Sequence, residues 1–207
     1  MPSRINVFIV SAPSGAGKSS LIHLLLTQIP SLLFSISHTT RLPREGETNG
    51  VEYFFINDQE FESMIERNEF LEWARVHGHY YGTSKAMLEQ AEKQGKDLLL
   101  DVDYQGAQEV RGTIPEAVSF FILPPSREDL RQRLITRGKD TSQQIQRRLQ
   151  DAQKEIAHLK DYNFVFINDD LNATFEQIAK IIHGEQVPIQ NLGDRIAAIL
   201  KSFDLPS

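Results

Sequence analysis

Short apolar segments alternate with segments of helical spacing along most of this 207-residue chain, and this alternation limits the fold more than any other feature. Four apolar segments are suited to strands buried on both faces, namely residues 5–10, 97–102, 118–123 and 164–167. The segments of helical spacing are 19–28, 105–110, 126–137, 141–160 and an amphipathic stretch around 175–182 that ends at Gly184. Strands alternating with helices predict a parallel α/β sheet flanked by helices.

One region departs from this alternation. Residues from about 35 to 85 are richer in glycine, proline, threonine and aromatic residues, which predicts an inserted subdomain of mixed α and β structure. Its expected elements are strands at 52–56 and 70–77 and a helix at 58–68. Trp73 is predicted to lie in its core.

The end of the chain forms a tail from 185 to 207. Residues 187–189 are predicted to be a linker and 194–203 a short helix. The apolar face of this helix either packs on the domain or meets a partner, and packing is the favoured interpretation; its members are Ile196, Ile199, Leu200 and Phe203.

Composition excludes several classes of protein. The chain has no cysteine, so it has neither disulfides nor a thiol nucleophile nor a cysteine-based metal site. Its apolar runs are too short to span a membrane and no signal-peptide pattern is present, so the expected compartment is the cytoplasm. A net charge of −6 argues against a nucleic-acid partner. Residues 126–148 nevertheless carry seven basic and three acidic side chains, a net of +4.

The strongest local motif lies between the first predicted strand and the first predicted helix. Residues 11–20 read Ser-Ala-Pro-Ser-Gly-Ala-Gly-Lys-Ser-Ser, which matches the phosphate-binding P-loop pattern G-x-x-x-x-G-K-[ST] except that Ala12 replaces the first glycine. We expect that position to need a small side chain rather than a positive φ angle. Lys18 can reach the outer phosphates of a nucleoside triphosphate, and the Ser19 hydroxyl can bind Mg²⁺.

Two carboxylates follow the apolar run at 98–100. In a parallel sheet, ligands bind at the carboxyl ends of the strands, so Asp101 and Asp103 are candidates to orient magnesium-bound water, Asp101 more than Asp103. The alternative is that an aspartate at a strand end only caps the next helix. Strand alternation places both carboxylates on one face.

Two further clusters contain polar groups suited to a nucleotide. Arg41 and Arg44 flank Pro43 and can form a rigid pair of guanidinium groups for phosphate oxygens, although in isolation a surface loop is the favoured explanation. Glu72 can accept two hydrogen bonds from the edge of a base. The six histidines show no metal-ligand spacing and receive no role.

Four motifs in this order resemble those of the guanylate kinases. They are Ser-Ala-Pro-Ser-Gly-Ala-Gly-Lys-Ser from 11, Ser-His-Thr-Thr-Arg-Leu-Pro-Arg-x-Gly-Glu from 37, Gly-x-Tyr-Tyr-Gly-Thr from 78 and Leu-Asp-Val-Asp-x-Gln-Gly from 100. The resemblance covers residues 5–184. It implies a P-loop core at 5–34 and 96–184, a GMP-binding insert at about 35–85 and a helical lid at about 126–150.

The resemblance also implies an activity and its ligands. The expected reaction is phosphoryl transfer from ATP to GMP, and to dGMP as well, with Mg²⁺ as cofactor, in purine nucleotide metabolism and GMP recycling. The chain would bind neither nucleic acid nor membranes, and a homo-oligomer is left open. The catalytic residues would be Lys18, Asp101, Arg137 and Arg148, with Ser19 on the metal and Asp101 acting through water.

The resemblance assigns further residues to each nucleotide. The ATP site would comprise Ala12, Pro13, Ser14, Gly15, Ala16, Gly17, Lys18, Ser19, Ser20, Arg133, Arg137, Asn168 and Asp169. The GMP site would comprise Ser37, Arg41, Arg44, Glu47, Tyr53, Glu72, Tyr81, Thr83, Asp103 and Arg148.

Two alternatives stand beside this interpretation. A guanylate-kinase-like interaction module without catalysis tends to lose the nucleotide chemistry, whereas Lys18, Ser19 and Asp101 are present here. A kinase of another nucleoside monophosphate is disfavoured by Glu72 and by the segment 37–47.

Overall fold

The computed structural model describes residues 5–76, 78–138, 140–186 and 192–206. Its strands are β1 (Val7–Ser11), β2 (Leu32–Phe34), β3 (His38–Thr39), β4 (Phe54–Phe55), β5 (Phe70–Val76), β6 (His79–Ser84), β7 (Asp97–Asp101), β8 (Val118–Leu123) and β9 (Phe164–Ile167). Its helices are α1 (Lys18–Gln28), α2 (Asp58–Glu66), α3 (Lys85–Gln94), α4 (Tyr104–Thr113), α5 (Arg127–Thr136), α6 (Ser142–Ile156), α7 (Leu171–Ile182) and α8 (Gly193–Ser202), with a 3₁₀ turn at Leu159–Asp161. The predicted linker at 187–189 lies outside the described residues.

The chain divides into two compact units, and β1 contributes to both. The first unit comprises the residues up to Ile9 together with Pro30–Val118, and the second comprises Val10–Ile29 and the residues from Ser119 onward. The predicted insert falls wholly in the first unit and the predicted lid wholly in the second.

The first unit contains two sheets. In one of them the strand order is β2-β7-β1, and β2 pairs with β7 in parallel. The middle of β7, Leu98 to Leu100, is fully buried, as expected for a strand covered on both faces. The other sheet has the order β4-β3-β6-β5, with β5 and β6 antiparallel, and α4 packs against β5. The mixed α and β structure predicted for residues 35–85 is therefore present.

The second unit continues the parallel α/β pattern. Its strand order is β1-β8-β9, β8 pairs with β9 in parallel, and the run from Phe120 to Leu123 is fully buried. Helix α1 packs against α7, and α5 packs against both α6 and α8. The predicted α/β class with a parallel sheet flanked by helices is confirmed.

Side-chain caps explain where several helices begin. Asn57, Asp103, Ser126, Thr141 and Asp170 each accept a hydrogen bond from a backbone N–H in the first turn of the following helix. The Thr141 cap is reciprocated by Gln144, so α6 begins with a complete capping box. None of the helices in the described ranges is long and apolar enough to cross a membrane.

Candidate active site

The turn between β1 and α1 has the geometry of an anion-binding loop. Gly17 is the N-cap of α1 with a left-handed φ of 101°, and no side chain caps the helix. The backbone N–H groups of the first turn, where Lys18 and the exposed Ser19 and Ser20 lie, are thus suited to an anion. Ala12 is buried, and it is not among the described non-glycine residues with positive φ. The position therefore does not need a positive φ angle, and the requirement for a small side chain stays a prediction.

Asn168 and Arg133 support the P-loop from within the protein. The Asn168 amide donates to the Ala16 carbonyl oxygen at 2.7 Å, and its own oxygen accepts from the Thr174 hydroxyl at 3.3 Å. Arg133 donates to the same Ala16 oxygen at 3.1 Å and to the Asn168 carbonyl oxygen at 2.8 Å. A side chain on Gly17 would place its Cβ 2.3 Å from the Asn168 amide nitrogen, so only glycine fits above this support. Both predicted ATP-site residues therefore hold the loop.

Arginines of α5 and α6 lie in the same unit. Arg148, on α6, donates to the Ser14 hydroxyl at 2.9 Å and pairs with Asp140 at 3.2 Å. Because the Asp140 side chain is only 7% exposed, this pair fixes the direction of Arg148. Arg137 follows α5 and is exposed, and its side chain makes no ion pair with the described residues. Lys139, also in the basic segment, lies outside the described residues.

In the first unit, three polar side chains form a row across neighbouring strands. Thr83 on β6 pairs with Glu72 on β5, and the hydroxyls of Ser37 and Thr83 lie 3.4 Å apart. The register of β5 shifts between Phe70 and Glu72, as in a β-bulge, which redirects the side chain. Thr83 is 1% exposed and Glu72 is 6% exposed. The row combines two hydroxyls and a carboxylate, the groups expected for guanine recognition.

Burial raises the pKa of Glu72 to about 7. The negative charges of Asp103 and Glu109 act in the same direction, whereas hydrogen bonds from Thr83 favour the ionised form. An unpaired carboxylate at this depth is costly and needs a donor pair to satisfy it.

Gly106 is a residue of this site that was not predicted. A Cβ there would lie 2.7 Å from the Glu72 Oε2 atom and 3.2 Å from its carboxyl carbon, so Glu72 packs directly against the backbone of α4. The glycine belongs to the motif that begins at Leu100, which is the signal that could have identified it.

The two aspartates after the buried run of β7 have different positions. β7 ends at Asp101, so strand alternation does not extend to Asp103. Asp103 caps α4 by accepting from the Gly106 N–H at 2.9 Å. The capping alternative therefore describes Asp103, and a contact with GMP stays a prediction for it.

Arg41 is held in one orientation by Glu47. Glu47 binds its guanidinium through two hydrogen bonds of 2.9 Å and also accepts from the Arg44 N–H at 2.7 Å. The hydrogen bond to Arg41 lowers the pKa of Glu47, and the pair raises the pKa of Arg41. The guanidinium lies over the Tyr53 ring at 5.5 Å, and the Tyr53 ring meets that of Tyr81 at 5.9 Å. Glu47 is thus the orienting partner of Arg41.

One other prediction can be assessed from side-chain exposure. Trp73 is 37% exposed on β5, so its predicted place in the core is wrong; β5 turns this side chain outward. His38 is partly buried and its ring contacts those of Phe54 and Phe70.

The fold and the site are those of a P-loop nucleotide-binding protein. A loop joins a strand to a helix whose start has no side-chain cap, and arginines of α5 and α6 contact that loop. The match to a family model is specific: residues 4–185 match the family described as guanylate kinase. The guanylate kinase of Shewanella sp. strain MR-7 is 50% identical over 188 residues, covering 90% of this chain and 91% of the relative. That of Vibrio cholerae is 46% identical over 199 residues, covering 95% and 96%.

A solved structure agrees with the sequence comparisons. The crystal structure of guanylate kinase from Anaplasma phagocytophilum matches with a TM-score of 0.70 and 30% identity, covering 95% of each chain. The chain belongs to the guanylate kinase family, and it is an enzyme: a kinase of the family that phosphorylates GMP at the expense of ATP.

Proposed function

We propose that the first unit binds GMP or dGMP, that the P-loop unit binds ATP, and that a phosphoryl group passes from ATP to the monophosphate. The observation that carries the choice of acceptor is the buried row of Ser37, Thr83 and Glu72. Guanine presents N1–H and a 2-amino group side by side, and an ionised Glu72 accepts from both. Adenine lacks that pair of donors, so it would leave the carboxylate unsatisfied.

The acceptor phosphate is assigned to the guanidinium and phenol groups around Arg41. Tyr81 and Thr83 are two residues apart on β6 and therefore project from the same face of the sheet. Arg44 adds a second cation, while Glu47 keeps Arg41 oriented. We expect dGMP to be an acceptor as well, as the family resemblance implies.

On the donor side, the P-loop N–H groups and Lys18 would bind the ATP phosphates. Arg137 and Arg148 would stabilise the negative charge of the transferring group, with Asp140 and Ser14 orienting Arg148. Positioning and charge neutralisation supply the rate in this chemistry, and no covalent intermediate is needed. We assign the reaction to purine nucleotide recycling in the cytoplasm.

Magnesium fits the oxygen donors present. Ser19 offers a hydroxyl in the first turn of α1, and Asp101 offers a carboxylate for a bound water; both are hard ligands of the kind Mg²⁺ prefers. The described residues contain no cluster of three or more His, Asp or Glu side chains that could hold an ion, so binding would depend on ATP oxygens. When bound, Mg²⁺ supplies neutralisation of phosphate charge.

A coupled ADP-release assay with GMP, dGMP, AMP and UMP tests the proposal, with and without Mg²⁺. We expect turnover with GMP and dGMP, a rate with AMP lower by about 10⁴-fold, and none after chelation. Glu72→Gln should impair GMP turnover and leave ATP binding nearly intact. Glu109→Gln, which removes a neighbouring exposed charge, is the matched control. No turnover with GMP would refute the proposal and favour the interaction-module alternative.

A further inference from the structure

Helix α8 lies beyond residues 4–185, so the family match assigns it no role. Its apolar residues Ile199 and Leu200 are each 4% exposed and Phe203, just after it, is 1% exposed, and the helix packs against α5. This burial is enough to dock the tail on the second unit, and it confirms the preferred interpretation of the apolar face.

Polar contacts fix α8 at both ends. Near its end, Ser202 accepts from the Arg127 N–H at 3.1 Å, and Asp204 pairs with the Arg127 guanidinium at 3.3 Å. Near its start, Arg195 binds the carboxylate of Asp169. The contacts with Arg127 join the end of α8 to the start of α5, and the contact with Asp169 joins the start of α8 to the loop between β9 and α7.

Asp169 lies between two residues with structural tasks. Asn168, before it, supports the P-loop carbonyl of Ala16, and Asp170, after it, caps α7 by accepting from the Ala173 N–H at 2.8 Å. The backbone on either side of Asp169 is therefore fixed. The direction of its side chain depends on Arg195.

The Arg195–Asp169 pair contributes little to folding. The two side chains are 54% and 46% exposed, and exposed ion pairs stabilise proteins only slightly. Burial of the apolar face already docks the helix. What the pair adds is a single orientation for the Asp169 carboxylate, and orienting a ligand group before binding increases affinity.

We infer that Arg195 is a positioning residue for the ATP site, acting through Asp169, and that α8 is thereby part of that site. The inference rests on the proposed role of Asp169 in ATP binding. It gives the tail a function in donor binding beyond its packing on the domain.

Steady-state kinetics of full-length variants test this role. Arg195→Ala should raise the KM for ATP about fivefold, while kcat and the KM for GMP stay within about 1.5-fold. Arg195→Lys retains the charge and should recover most of the loss. Asp204→Asn is the matched control, because it removes the ion pair at the other end of the tail and should leave the KM for ATP unchanged.

Asp169→Ala distinguishes the proposed role of Asp169 in ATP binding from the positioning role of Arg195. It should raise the KM for ATP, and adding Arg195→Ala should then have no further effect, because the two residues act as a unit. If Asp169→Ala leaves ATP kinetics unchanged, the assigned role of Asp169 is wrong and the inference fails with it. If Asp169→Ala raises the KM for ATP but Arg195→Ala does not, the positioning role alone is refuted. The same holds if Asp204→Asn raises the KM for ATP as much as Arg195→Ala does. Should Arg195→Ala not fold, Arg195→Gln is read by the same criteria.

Discussion

Glu72 is a buried carboxylate whose proposed role requires a negative charge. To accept from two guanine donors, as we propose, it must be ionised, yet burial raises its pKa to about 7. Hydrogen bonds from Thr83 oppose that shift. The α4 backbone at Gly106 leaves room for the carboxylate, so a glycine inside a helix determines where Glu72 can lie.

Gly106→Ala should impair GMP use at a small cost in stability. The new Cβ would lie 2.7 Å from Glu72 Oε2 and 3.1 Å from the Val102 Cβ, so the carboxylate must move and Val102 must give way slightly. The gain in helix propensity of alanine over glycine, about 1 kcal/mol, offsets part of that strain. We expect the KM for GMP to rise at least about tenfold, since misplaced site groups are costly, with an unchanged KM for ATP.

Gly112→Ala is the control for this prediction, since it lies in the same helix and a Cβ there meets nothing within 4 Å. It should gain stability from helix propensity and keep its kinetics. Equal GMP kinetics in the two variants would show that Gly106 does not position Glu72.

These residues also mark how far the sequence could lead. Ser37 and Thr83 lie in the motifs that carry the resemblance, whereas Glu72 lies outside them and was a candidate because it can accept from the edge of a base. The register of β3, β6 and β5 places the three side chains in one row. Gly106 belongs to a motif quoted in the sequence analysis, but no role was predicted for it. The spacing of residues does not reveal the function of a glycine inside a helix, and its contact with Glu72 spans 34 positions of the sequence. The prediction that Asp101 and Asp103 share one face assumed a strand that extends to Asp103, but β7 ends at Asp101.

At the scale of elements, Asn168 shows how a buried amide can shape a loop in a distant part of the sequence. It is 5% exposed, donates to Ala16 and accepts from Thr174. The Asn168 amide lies so close to Gly17 that a Cβ at position 17 would be 2.3 Å from its nitrogen. The P-loop conformation is therefore determined by the end of β9 as well as by its own glycines.

Asn168→Ala should raise the KM for ATP about tenfold, because the Ala16 carbonyl loses one of its two donors and the loop gains freedom. The KM for GMP should not change. Asn163→Ala is a matched control in the same unit, since Asn163 accepts from the Ser119 N–H and hydroxyl at 2.9 Å and has no contact with the P-loop. An equal rise in both variants would mean that general destabilisation is responsible.

Elements were predicted best where they were long and periodic. The apolar stripe of α6 is buried as expected, although the helix ends at Ile156 and a 3₁₀ turn follows it. Helix α3 and strands β2, β3 and β6 were not predicted, whereas β4 lies within the strand predicted at 52–56. Strands of two or three residues are too short to show a period, and β3 is defined by its pairing with β6, some 40 positions away.

At the scale of the whole molecule, the net charge hides local groups of arginines. An overall charge of −6 coexists with arginines that we propose bind phosphates: Arg41 and Arg44 in the first unit, Arg133, Arg137 and Arg148 in the second. The predicted ATP residues all lie in the second unit, and the predicted GMP residues lie in the first except Arg148. A net charge averaged over the chain therefore says little about small anionic ligands.

Ionisation of Glu72 should lower the free energy of unfolding of the nucleotide-free enzyme. Its pKa is about 7 in the folded state and 4.5 in a model peptide, so the folded state holds this proton more tightly. The resulting stabilisation is complete below pH 4.5 and lost as the pH rises through 7. His38 acts in the opposite direction, because burial lowers its pKa below 6.5 and stability falls as the pH falls.

Comparing Glu72→Gln with the wild type cancels His38 and isolates Glu72. The variant should be more stable by about 1 kcal/mol at pH 5.5 and on the order of 3 kcal/mol at pH 8, roughly 6–12 °C in Tm at the higher pH. Urea or thermal unfolding without nucleotide measures the difference, and Glu109→Gln should show a much smaller dependence on pH. Saturating GMP should stabilise the wild type but not the variant. If the difference in stability between Glu72→Gln and the wild type stays constant between pH 5.5 and pH 8, Glu72 is already ionised in the free enzyme. The proposed guanine site would then not lower the stability of the protein through the raised pKa of Glu72.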